Sequence, residues 1–417
     1  MPTADKKELQ KRLKALEDEL NRHLAGEYGV KVGNKTAYTK WLKSHQPFHW
    51  FIQFYGILSG GGFDVIIGNP PYVELSAVSA QYRPLHFATE SCGNLYALCT
   101  ERSFMLQHGN SRFGFIVQQP ITSTIRMAVC REIISQNSAF VWASTYDDRP
   151  SKLFNGMNHA RLAIVISRRS AAKSPMTLLC VTPYNKWFAE EREQVFQRLS
   201  FVAVSSDVLP GVFPKISTAT EIGIIEKILR CRGRFDGWLS RTGSPHKLFY
   251  KSTGVGSWFT ITPRPPKFFR DGKASSSTRE NEMSFPSAAA RAGAFCILNS
   301  TLFYWFYQAR TNCRDFNPSD FKTFPVPKSL EDEDMSESAR KLEKELEDSA
   351  KIVGASHSIT GTISYEQFRP RLAKLVIDEI DTVLAGHYGF TAEELDFILN
   401  YDIKYRLGRS TENETDD

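Results

Sequence analysis

The chain has 417 residues, of which 41% are hydrophobic and 24% charged, with a formal net charge of +6. That length allows two or three domains with ordinary cores and excludes a small stapled scaffold. No run approaches the roughly 18 apolar residues of a membrane span. The start, MPTADKKELQKRLKALEDEL, reads as a charged helix and not as a signal peptide, so a cytoplasmic location is expected. The seven cysteines form no C-x-x-C pair, the nine histidines no H-E-x-x-H, and Pro47 separates His45 from His49. Neither a disulfide framework nor a metal site is therefore expected.

Residues 1–45 form an N-terminal helical segment. Leu9, Leu13, Leu16, Leu20 and Leu24 recur at helical spacing, which predicts a stripe packed against another element. The string Leu24-Ala25-Gly26-Glu27-Tyr28-Gly29 returns as Leu384-Ala385-Gly386-His387-Tyr388-Gly389, read as two similar glycine caps. Residues 46–205 alternate strands and helices, the pattern of a mainly parallel sheet. Strands are predicted at Phe63 to Ile67, Phe113 to Val117, Ala139 to Ala143 and Arg161 to Ser167, with a crossover helix at Leu95 to Gln107.

Residues 206–329 are basic and turn-rich. From Leu209 to Ser329 there are 18 Lys and Arg against 8 Asp and Glu, a local balance of +10. Such a block suits phosphate contact, although a solvated basic face is a common alternative. Arg264, Lys267 and Arg270 flank the Pro-rich turn Thr262-Pro263-Arg264-Pro265-Pro266 beside Phe268 and Phe269, and are the candidate nucleic-acid contacts. Residues 330–417 read as an acidic linker helix, a loop rich in Ser, Thr and Gly, and a helical pair. Thr391 and Glu394 have capping-box spacing, and the terminal STENETDD is expected to be disordered.

The most informative string is residues 63–72, FDVIIGNPPY. An apolar strand runs through Gly68 into Asn69-Pro70-Pro71-Tyr72. Two prolines donate no backbone hydrogen bond and fix φ near about −65°, so the chain leaving the strand is stiff. The Asn69 side-chain oxygen and the Pro70 carbonyl can both accept from one exocyclic NH2 group, and Tyr72 offers a flat face to a ring. An amino-bearing base fits this description.

Asn69-Pro70-Pro71-Tyr72 after an apolar strand resembles the catalytic tetrapeptide of amino-group DNA methyltransferases, chiefly those acting on N6 of adenine. Gln46-Pro47-Phe48-His49-Trp50 and Gly61-Gly62-Phe63-Asp64 resemble the approach to that motif in type IIG restriction-modification and phage-defence methylases. The helix at 95–107 and the strand Gly114-Phe115-Ile116-Val117-Gln118 also resemble the helix and strand that come after the tetrapeptide in those methylases, with Gln118 as a small departure. Leu298-Asn299-Ser300-Thr301-Leu302-Phe303-Tyr304-Trp305 and Phe324-Pro325-Val326-Pro327 resemble the close of a target-recognition domain. The resemblance implies an α/β fold: the C-terminal half of a partial Rossmann-like methyltransferase sheet at 46–205, an α+β target-recognition domain at 206–329, and C-terminal helices.

It further implies S-adenosyl-L-methionine as methyl donor, double-stranded DNA as partner, and a target base extruded at a cost of a few kcal/mol. Stacking on Tyr72, and on Phe154 as a second aromatic, offsets that cost by about 1–3 kcal/mol per base. Hydrogen bonds from N6 to Asn69 and Pro70 favour a pyramidal nitrogen whose lone pair is freed for in-line attack. The donor site is the difficulty. Three βα units before the tetrapeptide need about 90 residues, and only 68 precede Asn69. Gly60-Gly61-Gly62 lies too near the catalytic strand to be the first turn. The expectation is a chain needing a separate N-terminal half or another restriction or defence subunit. The alternative is an inactive DNA-specificity subunit or truncated remnant.

Overall fold

The computed structural model describes residues 3–78, 82, 84–157, 160–170, 177–357 and 361–408. The terminal STENETDD lies outside them. The chain divides into two compact units: Met1–Ala143 with Leu162–Cys180, and Ser144–Arg161 with Val181–Asp417. One mixed sheet has the strand order β1-β2-β4-β3-β5-β6, and the division passes along β3 and β5. Its strands are β1 (Phe63–Gly68), β2 (Gln107–Gln118), β3 (Ser138–Tyr146), β4 (Leu162–Arg169), β5 (Leu178–Asn185) and β6 (Val202–Val204). All four strands predicted from alternation are present.

In the first unit β1 pairs parallel with β2, and β2 antiparallel with β4. A parallel pair needs a crossover, and helix Leu95–Leu106 lies in that connection. Asn94 caps it by accepting from the Tyr96 amide at 3.3 Å. The helix packs on β2, with Phe104 and Phe113 ring centroids 5.1 Å apart. Phe113, Phe115 and Val117 project alternately from β2 into this side and are buried. Each such burial stabilises by about 1.5–3 kcal/mol.

The leucine stripe of helix Thr3–Glu27 departs from expectation. Leu9, Leu13 and Leu16 are exposed; packing reaches only the C-terminal part, where Ala25 is fully buried and the Asn21 Oδ1 meets His49 Nε2 at 2.8 Å. The spacing states which residues share a face, but not that the face meets a partner. The two echoing strings do end their helices alike. Gly29 and Gly389 sit at φ 73° and 70°, and the amides of Val30 and Phe390 reach back to the carbonyls of Ala25 and Ala385, each at 2.9 Å.

The second unit is built on helix Thr301–Arg310, nine of whose residues are buried. An all-round apolar helix must lie inside, and helices Ala288–Asn299, Lys374–Tyr388 and Ala392–Asn400 pack on it. Asp381 fixes its start, accepting from the Thr301 and Leu302 amides at 3.0 Å each. The capping box at Thr391 forms as predicted.

This unit's remaining strands are β7 (Gly233–Arg234), β8 (Lys247–Lys251), β9 (Phe268–Arg270), β10 (Lys273–Ser275), β11 (Glu280–Ser284), β12 (Pro325–Val326), β13 (Lys351–His357) and β14 (Gly361–Gln367). The segment read as a Ser, Thr and Gly loop is instead the pair β13–β14, inside the four-stranded sheet β10-β9-β14-β13. Ile352, Val353, Ile363 and Tyr365 supply the strand-forming side chains that its small polar residues masked.

Candidate active site

The tetrapeptide leaves the C-terminal end of β1. Asn69 and Pro71 are exposed, Pro70 is buried and Tyr72 half-buried. The Tyr72 hydroxyl donates to the Ile116 carbonyl of β2 at 3.0 Å, and its ring meets Tyr96 edge-on, with centroids 6.4 Å apart. Burial pushes the Tyr72 phenol up to about 12, so it stays protonated and keeps its donor role at neutral pH. One end of the ring is thus held while part of its surface remains open.

The next residues are clamped. Leu75 donates its amide to the Gly93 carbonyl at 2.8 Å, and Leu95 donates to the Val73 carbonyl at 2.9 Å. Arg126, from the turn after β2, donates to both Glu74 carboxylate oxygens at 2.8 and 2.6 Å and to the Cys92 carbonyl at 2.7 Å. Asn94 Nδ2 adds a bond to Glu74 at 3.2 Å. A planar guanidinium bridging a carboxylate and a carbonyl fixes orientation as well as distance. Gly93 turns the chain here at φ +64°, a left-handed conformation that favours glycine. Buried Glu101 holds the preceding turn, accepting from the amides of Ala88 and Thr89 at 3.1 and 2.8 Å.

Glu74, Glu101 and Arg126 were missed in the sequence. Glu74 stands two residues past Tyr72 and was legible; Arg126 is 52 positions away from it and is brought in only by the fold.

Phe154, Arg264, Lys267 and Arg270 belong to the second unit. Phe154 is half-buried, and Arg192 donates to the preceding carbonyls of Lys152 and Leu153 at 2.8 and 2.6 Å. Arg264 departs from the expected free cation. It is bound by Glu366 at 2.7 and 3.0 Å and by Glu347 at 2.9 Å, and these hydrogen bonds raise its already high pKa. Lys267 Nζ lies 3.8 Å from the same Glu366. Arg270 is exposed at the end of β9, beside the tight Asp271-Gly272 turn leading to exposed Lys273. Both turn residues have positive φ, 49° and 75°, as a two-residue hairpin requires.

The second unit also holds a charged cluster that the sequence did not announce. Arg161 Nε donates to Asp147 and to Asp148, each at 3.1 Å, and its Nη1 donates to the Cys313 carbonyl. Burial raises the Asp147 pKa. Its groups pair with one another and read as a fold-holding network.

The glycines near the tetrapeptide do not form a cradle for a sulfonium nucleoside. Gly62 (φ +121°) is packed on backbone, since a Cβ would lie 2.4 Å from the Leu106 carbonyl oxygen. Among the described residues β1 is the first strand. Among the described residues there is no cluster of metal ligands, and no helix is long and apolar enough to cross a membrane.

Residues 3–150 match the Eco57I restriction-modification methylase family. Among solved structures, the chain is similar to the type IIL restriction-modification enzyme MmeI in complex with DNA, at 12% identity and a TM-score of 0.41 over 82% of this chain and 57% of that one. The type IIG restriction endonuclease BpuSI is similar at 11% identity and a TM-score of 0.32, over 82% and 55%. A DrdV–DNA complex is similar at 14% identity and a TM-score of 0.29, over 34% and 17%. The chain thus spans little more than half of the first two proteins. No curated protein matches.

Proposed function

We propose that this chain is the acceptor-side and target-recognition part of a site-specific DNA methyltransferase of a restriction-modification or phage-defence system. The substrate is an adenine flipped out of double-stranded DNA, the product is N6-methyladenine, and S-adenosyl-L-methionine is the donor. The observation that carries the reading is the Asn69-Pro70-Pro71-Tyr72 loop at the end of β1, with Asn69 exposed and Tyr72 held by β2. Asn69 and Pro70 accept from the exocyclic amine. Tyr72 stacks on the extruded base. Accepting both N–H groups favours a nitrogen whose lone pair is no longer delocalised into the ring, an effect stronger in the transition state than in the ground state. Arg126 and Glu74 keep the loop in register, so positioning costs little when the base arrives.

Residues 206–329 supply sequence reading and phosphate contact, with Lys267 and Arg270 as contacts. Arg264 joins them only if its carboxylates release it, and exposed Lys273 is the stronger candidate. The donor pocket is supplied by residues outside those described, on a partner polypeptide or elsewhere in the same protein. The test is Asn69→Ala in the assembled enzyme. Transfer of labelled methyl groups to unmethylated genomic DNA is expected to drop at least about 100-fold with DNA affinity unchanged. Equal loss of binding and transfer points instead to a structural role for Asn69. Undiminished transfer removes the reading.

A further inference from the structure

We infer that the exposed face of helix Lys35–His45 is a phosphate grip: it holds the backbone of the double-stranded DNA whose base enters the Asn69 loop, without reading its sequence. Between Glu27 and Asp64 the chain carries no Asp or Glu, and in that span it carries four lysines, Lys31, Lys35, Lys40 and Lys43. At 3.6 residues per turn, Lys35, Thr36, Thr39, Lys40 and Lys43 fall within an arc of about 140°. All five are exposed and, with Ser44, they line one open hollow. None of the four lysines makes an ion pair among the described residues.

A basic face that serves only solvation mixes its signs. Helix Thr3–Glu27 does so: its cations are interspersed with carboxylates, and Arg12 Nε donates to Glu8 at 3.0 Å. Helix Lys35–His45 has no such carboxylate. Like charges on one short face repel each other, and an anion relieves them. The opposite face is anchored. Trp41 is buried, stacked on His45 at 5.2 Å and tilted against Tyr28 at 5.9 Å between ring centroids. Asn34 caps the start, its Oδ1 accepting from the Ala37 amide at 3.1 Å. The lysines therefore stand on a held element.

That element is tied to the chain on both sides of the acceptor loop. Downstream of the loop, the Tyr82 hydroxyl donates to the Ser44 carbonyl at 3.1 Å, and its ring meets His45 edge-on at 5.3 Å. Upstream, the chain leaving the helix packs Trp50 and Phe54 on Phe63, the first residue of β1, at 6.2 and 5.2 Å. The side chains present select the occupant. A helix lying on a membrane turns its apolar residues outward, and here Trp41 turns inward. A protein partner needs an aromatic or aliphatic anchor, and this face carries none. Lysine and threonine contact phosphate oxygens and carry no base code. From Lys35 to Lys43 the helix rises about 12 Å, the axial span of about three to four phosphates on one strand. The inference rests on the methyl-transfer reading only for the choice of DNA over RNA.

The test is binding of the full chain to labelled DNA duplexes of two unrelated sequences, followed by fluorescence anisotropy across a salt series. Lys35→Gln, Lys40→Gln and Lys43→Gln together keep helix propensity. They should flatten the logarithmic salt slope by about 2.7 units and lower affinity at low salt at least about 30-fold on both sequences, with the melting temperature unchanged. The same three positions changed to Arg should keep the slope of the unaltered chain. An unchanged slope, a loss confined to one sequence, or a loss that the Arg variant shares overturns the assignment. So does tighter binding of duplex RNA than of DNA through the same lysines. A flattened slope in a protein that transfers no methyl group leaves the grip standing and removes the methyl-transfer reading.

Discussion

The loop after β1 and the Pro-rich turn before β9 are both stiffened by proline, yet they hold their polar groups in opposite ways. After β1 the charged residues, Glu74 and Arg126, bind each other behind the motif and leave Asn69 exposed. Before β9 the charged residue is itself the expected contact, and Arg264 is bound by Glu366 and Glu347. A backbone-and-amide motif can be read in sequence because its chemistry is local. A cation cannot, because whether it is free depends on carboxylates about a hundred positions away.

The largest effect expected is on the first region. Arg126→Ala should lower methyl transfer by the assembled enzyme about 100-fold, because a loop displaced by an ångström loses alignment with the reacting atom. Arg126→Lys should recover little, lacking the planar fork. Because the pair is half exposed, its removal should cost little stability, and a large fall in melting temperature would show a structural rather than a positioning role. The second region should respond oppositely. Glu366→Ala should destabilise by about 1–2 kcal/mol in urea unfolding, since the hydrogen bonds from Arg264 and the Lys267 amide are lost while Arg264 keeps Glu347 and part of its surface in water. A neutral outcome would mean that Arg264 is available to phosphate after all.

A comparable effect concerns a buried carboxylate that caps the central helix of the second unit. Burial, more than any charge, pushes the Asp381 carboxyl up to about 6, against the hydrogen bonds of the amides it caps. Between the unfolded value near 4 and that point the folded chain holds more protons than the unfolded one. Its contribution to stability therefore falls as pH rises through this window. Asp381→Asn should flatten the decline between pH 4.5 and 6.5 by on the order of 2 kcal/mol; an unchanged slope would place the titration elsewhere. Smallest is the salt dependence of DNA binding. Arg270→Ala and Lys273→Ala should each lower the logarithmic salt slope by about one unit, whereas Arg264→Ala should not. A slope unmoved by all three would make the basic stretch a solvated face.

Much of the first unit was legible because its signals are short-range. The alternation in 113–117 and 161–167, the helix start at Asn94 and the Pro-Pro step each act within a few residues. Leu9, Leu13 and Leu16 show the limit, since periodicity defines a face without supplying what covers it. The β13–β14 pair was hidden because Ser, Thr and Gly serve loops and strands alike, and its pairing with β9 joins positions some ninety residues apart. The Arg126 clamp was illegible for the same reason.

The most direct test of the central claim, that the loop after β1 accepts an exocyclic amine, is the chemical fate of the methyl group. Unmethylated genomic DNA should be incubated with the assembled enzyme and labelled S-adenosyl-L-methionine, digested to nucleosides and separated. The account predicts label in N6-methyldeoxyadenosine, lost with Asn69→Ala, and none with this chain alone. Label on a ring carbon, on protein or RNA, or in the same product with Asn69→Ala would contradict it.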